Sequence, residues 1–410
     1  TPVGVTMLFR AFPPAERERR LRDRLHLAAD RRLTADLPAL SNDVTTVRAL
    51  RLREARASDE LTPFDGDLSA AGVPRITAAS GEPDVRPVSP TQIQSWASCP
   101  HAYFVNYLLG VRPVDEPEGQ ISINALDKGS LQHAVLDRLH QDVLAGTLPQ
   151  PTHTGWTTEH RAALLDHFTD ECDHAEHTGR TGRPAAWASD RARMRRDLLE
   201  WFRRDSERIL EHSATIVASE FDFSKHDDPA SPTVTLDLPD GRRLAVRGQV
   251  DRLDRWADGR LVVTDHKTGT DNAYRKLDAS NPTLDGSAFQ LPVYAAAAVA
   301  HAGNRSDSDP PVRAEYSMFE RGSYKRIGID FDEQVWADVD VHLADVVDGI
   351  EAGWFPQVPE RPGFRMFIGC PYCEPDGLGT GDAFERWSRK QHDARVAHWF
   401  ATDDEDAIDD

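Results

Sequence analysis

Apolar residues change their spacing partway along this 410-residue chain, and that change limits the folds open to it. Residues 157–176 and 190–218 carry apolar side chains at the helical period of 3.6. From residue 233 apolar and polar residues alternate, and Asp240-Gly241 and Asp258-Gly259 are typical hairpin turns. The pattern predicts two long helices followed by an antiparallel meander of strands.

Further elements are predicted on both sides of this meander. Residues 10–60 are predicted to be helical, and so are residues 90–110, residues from about 128 onward, residues 287–300 and residues 332–351. Residues 313–319 and 324–329 form a second predicted hairpin. We therefore predict an α/β fold with a central mixed β-sheet flanked by helices and with an N-terminal helical extension.

Glycine and proline residues gather between Thr62 and Pro90, which is typical of a linker. We expect a helical extension and linker at residues 1–80, a main domain at 85–400 and an acidic, disordered tail at 401–410. The chain opens at Thr1 rather than at a methionine, which is consistent with a fragment of a longer protein or with processing.

Charge excludes one class of protein. The chain has 48 lysines and arginines against 68 aspartates and glutamates, a formal net charge of -20, so it is not a globally basic nucleic-acid binder. A local basic groove remains compatible with this total. No apolar run reaches the roughly 18 residues of a membrane span, and four cysteines do not make a disulfide scaffold. We expect a soluble, cytoplasmic protein.

Two carboxylates follow neighbouring predicted strands. Asp251 and Asp265 flank the Asp258-Gly259 turn, and pairing of the two strands would bring them together. Carboxylate oxygens together with water and substrate phosphate are the ligands that Mg²⁺ prefers. Lys267 lies two residues beyond Asp265 and points to the same face of its strand, where it could act on a water or on a phosphate. Taken alone, an Asp-x-Lys pair is more often a solvated strand edge.

Together with four other segments, these residues resemble the RecB-type branch of the PD-(D/E)xK nuclease superfamily from residue 89 to about residue 373. The five matching segments, in chain order, are residues 89–104, 129–136, 248–269, 289–294 and 370–373. The first contains Cys99-Pro100 before Phe104, and the second reads Gly-x-x-x-His-x-x-Leu around His133. One such segment would be a weak signal, whereas five in order at plausible spacing are specific.

The resemblance implies a restriction-endonuclease-like core and a nuclease that uses Mg²⁺ or Mn²⁺. By the family pattern, His133, Asp251 and Asp265 bind the metal, together with the backbone carbonyl of His266. Lys267 is the catalytic lysine of that pattern. Considered alone, His133 would more often be a hydrogen-bonded histidine on an amphipathic helix.

The family pattern also gives roles to residues outside these strands. Gln290 and Tyr294 resemble a Gln-x-x-x-Tyr motif that positions the DNA or the active-site lysine. Lying four residues apart on a helix, they are equally compatible with ordinary packing. Glu220, at the start of the first strand, resembles an acidic residue that some family members carry there, and it is a minor candidate.

The cysteines depart from the family pattern. Iron–sulfur members join an upstream cysteine to three from a Cys-x₂-Cys-x₅-Cys group. Here Cys99, Cys370 and Cys373 match, but Gly379 occupies the last position, and Cys172 fits no motif. Three alternatives remain: a [4Fe-4S] cluster with a different fourth ligand, a zinc site with a histidine such as His101, or a degenerate relic.

The first 80 or so residues loosely resemble the segment before the nuclease domain in AddB-type helicase-nuclease subunits. The sequence contains no phosphate-binding loop of the Gly-x₄-Gly-Lys-Ser/Thr type, so a motor would belong to a longer parent protein or to a partner subunit. The resemblance implies a DNA nuclease of repair or recombination, with DNA as partner. A silent DNA-binding scaffold and a nuclease of anti-phage defence or of RNA remain as alternatives. The phosphates would bind an arginine-lined groove that draws on Arg247, Arg252, Arg255, Arg275 or Lys276, or a partner would supply the DNA affinity.

Overall fold

A computed structural model describes residues 44–112, 121–224, 231–269, 271–303, 309–319, 324–359, 372, 383–397 and 399 of the chain. Its α-helices are α1 (Val44–Ala57), α2 (Pro90–Ser98), α3 (Pro100–Tyr103), α4 (Ala125–Leu144), α5 (Thr158–His177), α6 (Pro184–His212), α7 (Gln290–Ala302), α8 (Glu333–Glu351) and α9 (Ala383–Ser388). Its strands are β1 (Thr215–Phe223), β2 (Val234–Asp237), β3 (Arg243–Val246), β4 (Gly248–Arg255), β5 (Leu261–Lys267), β6 (Val312–Met318) and β7 (Arg326–Phe331). Helices around a mixed sheet confirm the predicted fold class.

Five strands form the main sheet in the order β1-β4-β5-β6-β7. β4 is antiparallel to both β1 and β5, β5 is parallel to β6, and β6 is antiparallel to β7. A parallel pair needs a crossover, and α7 lies in the connection between β5 and β6 and packs against β6. The central strand β5 begins with Leu261, Val262 and Val263, all fully buried, as expected for a strand covered on both faces.

A core of apolar side chains joins α4, α5 and α6 to the main sheet. Leu131, Val135 and Leu139 follow one another at four-residue intervals on α4 and are buried against α5 and α6. The side chain of Asn124 caps α4 by accepting from the backbone N–H of Asp127, so the helix starts three residues before the predicted position. α4 also packs against β1 of the main sheet.

Two details of the predicted strand region are wrong. The helix predicted to run to residue 218 ends with α6 at His212, because Ser213 adopts a left-handed backbone (φ 47°) and β1 then begins at Thr215. The predicted single meander is divided, since β2 and β3 form a separate two-stranded sheet. The other edge of β3 is occupied by bridges from Ala78 and Val88, which lie in the segment that the sequence marks as a linker.

The chain divides into two compact units. One comprises residues 73–98 and 103–352 and contains both sheets. The other comprises residues 1–72, 99–102 and 353–410. Within this second unit the buried Lys390 donates to the carbonyls of Ala55 and Glu60 and lies 3.3 Å from Asp65, which ties α1 to the region of α9. No helix among the described residues is long and apolar enough to cross a membrane.

Candidate active site

The hairpin of β4 and β5 brings together the two aspartates that the sequence singles out. Arg252 pairs with Thr264, so Asp251 and Asp265 come next along the two strands. Both carboxylates are buried, with Asp251 8% and Asp265 2% exposed. Asp251 Oδ2 accepts a hydrogen bond of 2.6 Å from the backbone N–H of His266. The ends of the two strands are thereby locked to each other around a pair of acidic groups.

A third acidic side chain joins them from β1. The register of β1 on β4 places Glu220 opposite Asp251, and Glu220 has a left-handed backbone with a φ of 45°. His133 projects from α4, with Nδ1 3.7 Å from Glu220 Oε1 and 3.5 Å from Asp251 Oδ2. Its Nε2 lies 2.8 Å from the carbonyl oxygen of His266. One ligand atom from each of His133, Glu220 and Asp251 lies within 4.8 Å of the others.

A lysine-centred cluster lies beside this group. Lys267 Nζ is 2.7 Å from Asp265 Oδ2 and donates to Gln290 Oε1 at 2.8 Å. The Gln290 amide in turn donates to Asp265 Oδ1 at 2.8 Å and to the Tyr294 hydroxyl at 3.0 Å. Gln290 and Tyr294 are four residues apart on α7 and therefore share a face. The crossover helix thus fixes the position of the lysine head group.

The electrostatics of the first group reflect concentrated negative charge. Burial works to lower the pKa of His133, but hydrogen bonds to Asp251 and Glu220 raise it to about 11, so the imidazole is protonated at neutral pH. Burial raises the pKa of Glu220, with a further rise caused by the charge of Asp251. The positive charge of the protonated His133 balances the negative charge of the neighbouring carboxylates Asp251 and Glu220.

Similar forces act on the second group. Burial raises the pKa of Asp265 to about 6 against the lowering effect of Lys267. Burial works to lower the pKa of Lys267, but the adjacent Asp265 raises it above its ordinary value. The lysine is therefore an ammonium ion at neutral pH. Burial also raises the pKa of Tyr294 well above its usual range, which leaves its hydroxyl neutral.

The residues present fit a divalent cation. Two carboxylates and an imidazole converge from β1, β4 and α4, and the His266 carbonyl of β5 lies beside the other nitrogen of the same imidazole. Carboxylate and carbonyl oxygens suit hard cations such as Mg²⁺ and Mn²⁺. A cation would replace the proton on His133 as the counter-charge of Asp251 and Glu220. The donor set therefore supports a metal site at this position.

Sequence reasoning and structure differ in how these acids are grouped. The predicted ligands were His133, Asp251, Asp265 and the carbonyl of His266. The structure groups Glu220, a minor candidate, with His133 and Asp251, whereas Asp265 forms its ion pair with Lys267. In the sequence, only the family resemblance points to Glu220. Its side chain reaches His133 and Asp251 because of the register of β1 on β4, which the sequence pattern does not specify.

The arginines expected to bind phosphate are in different environments. Arg252 is wrong as a phosphate ligand, because it is 1% exposed and pairs with Asp205 and Asp254 inside the protein. Arg275 is exposed and lies 3.7 Å from a carboxylate oxygen of Asp271. Arg247 and Arg255 are exposed just before and at the end of β4.

The cysteine predictions fall largely outside the described residues. Cys370, Cys373 and the tail at 401–410 are not among them, so the cluster, the zinc site and the disordered tail stay predictions. Cys99 and Cys172 are both buried, and burial raises the pKa of Cys172 to about 12.

One part of the site was not anticipated from the sequence. The His266 ring lies in a buried cage with His140 and Trp201, whose ring centroids are 6.3 and 5.8 Å away, and its centroid is 6.2 Å from that of His133. His140 Nδ1 lies 3.3 Å from the hydroxyl of Ser219, the residue before Glu220. The spacing of the histidines on α4 could have indicated this cage, since His133 and His140 are two helical turns apart and lie on the same side of the helix.

Comparison with known proteins gives one family match. The model of the PD-(D/E)XK nuclease superfamily matches residues 87–376 of this chain. That range includes α4, β1, β4, β5 and α7, which together supply the candidate metal-binding and lysine-centred groups described above.

Similar curated proteins are ATP-dependent helicase/deoxyribonuclease subunits of the B type. The protein of Acetivibrio thermocellus is 25% identical over 200 residues, which are 48% of this chain and 16% of that protein. A protein of Clostridium perfringens is 25% identical over 220 residues, 53% of this chain and 18% of its own length. A protein of Ruminiclostridium cellulolyticum is 27% identical over 184 residues, 44% of this chain and 15% of that protein. The matched part of this chain spans less than a fifth of each relative.

Proposed function

This chain belongs to the PD-(D/E)XK nuclease superfamily, and from that premise we propose that it is a metal-dependent deoxyribonuclease. The observation that carries the proposal is the convergence of His133, Glu220 and Asp251 beside the Asp265–Lys267 pair. The preference for DNA rests on the similarity to helicase/deoxyribonuclease subunits. The family resemblance favours Mg²⁺ or Mn²⁺, and we extend the proposal to exonuclease action in DNA repair or recombination in the cytoplasm.

The side chains divide the work of phosphodiester hydrolysis between them. A bound divalent cation would lower the pKa of a water and neutralise charge on the phosphate. His133, Glu220, Asp251 and the carbonyl of His266 would hold it. Deprotonation of His133 would accompany binding, because a ligating imidazole must be neutral.

Lys267 acts through its charge rather than as a base. Its raised pKa keeps it an ammonium ion, which stabilises the negative charge that develops on the phosphate oxygens. Asp265 and Gln290 hold the ammonium group by contacts of 2.7 and 2.8 Å, so it needs little reorganisation during the reaction. Tyr294 restrains Gln290 from the next turn of α7.

The likeness to helicase/deoxyribonuclease subunits also bears on partners. We propose that a motor, as an upstream region of the parent protein or as a separate subunit, delivers DNA to this nuclease. In such an arrangement the strand would reach the site already unwound, and the nuclease itself would need only modest affinity for DNA.

The test is cleavage of end-labelled linear single- and double-stranded DNA with Mg²⁺ or Mn²⁺. Asp265→Ala and Lys267→Ala should each lower the rate at least about 100-fold, because each removes a preorganised charge at the reacting phosphate. Asp258→Ala, at the exposed turn of the same hairpin, is the matched control and should keep full activity. Circular dichroism of all variants should match the wild type.

Each part of the proposal can fail separately. Full activity in Asp265→Ala or Lys267→Ala would remove the site assignment. Cleavage of covalently closed circular DNA would contradict exonuclease action. Absence of cleavage by the wild type with either metal would contradict an autonomous nuclease.

A further inference from the structure

A groove opens at the edge of the main sheet, where β1 ends and β4 begins. Its volume is about 1180 Å³. Arg86, Ser89 and Arg247 line it together with Gln249, and Phe223 and Gly248 form part of its floor. The groove lies within the unit that contains both sheets.

The groove adjoins the candidate active site. Gln249 lines it and donates through Nε2 to the backbone carbonyl of Glu220 at 3.1 Å. Phe223 packs edge-on against Tyr294, with ring centroids 6.3 Å apart. Along β1, Asp222 in the groove is only two residues from Glu220, or roughly 7 Å at the usual rise of a strand. The groove and the metal group are therefore neighbours along β1 and β4.

The charges in the groove fit an anionic backbone. Arg86 and Arg247 are exposed, and within the described part of the chain their guanidinium groups form no ion pair. Two acids also line the groove: Asp84 is engaged by Arg243 at 3.0 Å, and Asp222 lies on β1, two residues beyond Glu220. A guanidinium group binds phosphate by paired hydrogen bonds.

The lining is also compatible with recognition that ignores base sequence. Gln249 has its amide occupied by the Glu220 carbonyl, and Ser89 caps α2 by accepting from the backbone N–H of Gln92 at 3.2 Å. Arg86 and Arg247 are the cationic groups of the lining, and phosphate contacts position a nucleic acid without specifying bases.

We propose that this groove holds the backbone of the DNA strand being cut, on one side of the scissile phosphate, with Arg86 and Arg247 each contacting a phosphate. The proposal rests on the nuclease function proposed above and adds a substrate track to it. The groove sets affinity and orientation, and the residues around Lys267 carry out the hydrolysis.

The experiment measures binding of a fluorescent single-stranded oligonucleotide by anisotropy, in EDTA so that no cleavage occurs, over a range of NaCl concentrations. The variants are Arg86→Ala, Arg247→Ala and the double variant. Arg195→Ala is the matched control, because this exposed arginine lies on α6 and does not line the groove. For single strands each lost phosphate contact should reduce the slope of log affinity against log salt by about 0.7. The double variant should lose both contacts, whereas Arg195→Ala should retain the wild-type slope.

Cleavage assays then separate this proposal from the previous one. With Mg²⁺, the double variant should show a raised KM and an unchanged kcat, whereas Lys267→Ala should lose kcat and bind normally. Wild-type affinity and salt slope in the double variant, in a protein that does cleave DNA, would overturn the groove alone. Arginine-dependent binding in a wild-type protein that cleaves nothing would overturn the nuclease function alone.

Discussion

Glu220 has a backbone conformation that ordinary side chains avoid. Its φ of 45° costs an L-residue other than glycine roughly 1–2 kcal/mol. Two glutamine side chains hold the peptide in place, as Gln141 donates to the carbonyl of Ser219 at 3.2 Å and Gln249 to that of Glu220 at 3.1 Å. The strained position lies opposite Asp251, where an inward carboxylate completes the group around His133. Strain maintained at such a place is typical of a functional site.

Comparison of Glu220→Ala with Glu220→Gly should separate strain from function. Both remove the carboxylate and should lower cleavage and the affinity for Mn²⁺. Glycine ordinarily costs a strand interior about 0.5–1 kcal/mol relative to alanine, but here it relieves the left-handed backbone. The glycine variant should therefore equal or exceed the alanine variant in free energy of unfolding, measured by urea denaturation. A glycine variant less stable by about 1 kcal/mol would contradict strain at this position.

The sequence predicts the site residues to different degrees. Asp251, Asp265 and Lys267 follow from strand alternation and a hairpin turn, because a period of 2 fixes which side chains share a face. Glu220 does not follow from such a pattern, since its direction depends on a left-handed residue within β1 and on register against β4. Local pattern therefore predicts the hairpin, while long-range pairing determines the third acid.

The elements around the site are joined by buried charges. Arg252 on β4 pairs with Asp205 of α6 at 2.7 Å and with Asp254 at 2.8 Å. Arg208 reaches Asp254 at 2.9 Å, and Arg326 of β7 reaches Asp205 at 2.8 Å. α6 is thus tied to both β4 and β7. The network joins elements that are far apart in the sequence. The sequence alone therefore predicts Arg252 to be an exposed, phosphate-binding arginine.

Arg252→Ala should destabilise the protein by about 3 kcal/mol. Asp205 keeps Arg326 and Arg208, and Asp254 keeps Arg208, so the loss lies near the lower end for a broken buried pair. Arg255→Ala, at the exposed end of the same strand, is the matched control and should change stability by less than about 0.5 kcal/mol. Chemical denaturation of both variants provides the measurement. Equal stabilities would show that the buried network contributes little.

The order of elements could be predicted, but not which strands share a sheet. The sequence pattern predicts the helices α5, α6 and α8 from their apolar period, and it predicts both hairpins of the main sheet. The separation of β2 and β3 from β4 depends on Ala78 and Val88 pairing with β3, a contact between segments more than 150 residues apart. The end of α6 depends on the left-handed Ser213, which no cap glycine announces.

At the scale of the whole molecule, stability should depend on buried histidines. His140 is 1% exposed between Trp156 and Trp201, and burial, reinforced by the charge of Arg252, lowers its pKa to about 3. His266, in the same cage, has its pKa lowered well below the ordinary value by burial. Both are neutral in the folded protein at neutral pH and would be protonated in the unfolded chain below about pH 6.5.

Acidification should therefore destabilise the fold. The stability that neutral His140 contributes is fully present above about pH 6.5 and should fall by about 1.4 kcal/mol for each unit below it, toward its folded pKa of about 3. Asp265 has the opposite effect, since its pKa is raised to about 6 and its burial penalty is relieved as pH falls from about 6 toward the ordinary aspartate value of 3.8.

A single curve of stability against pH mixes the contributions of His140 and Asp265, so the difference between the wild type and His140→Gln isolates that of His140. Denaturation in EDTA from pH 7.5 to 5 should give a stability difference that diminishes or reverses on acidification, because only the wild type must keep His140 deprotonated to stay folded. A difference independent of pH would mean that His140 is already protonated in the folded protein or remains accessible to solvent.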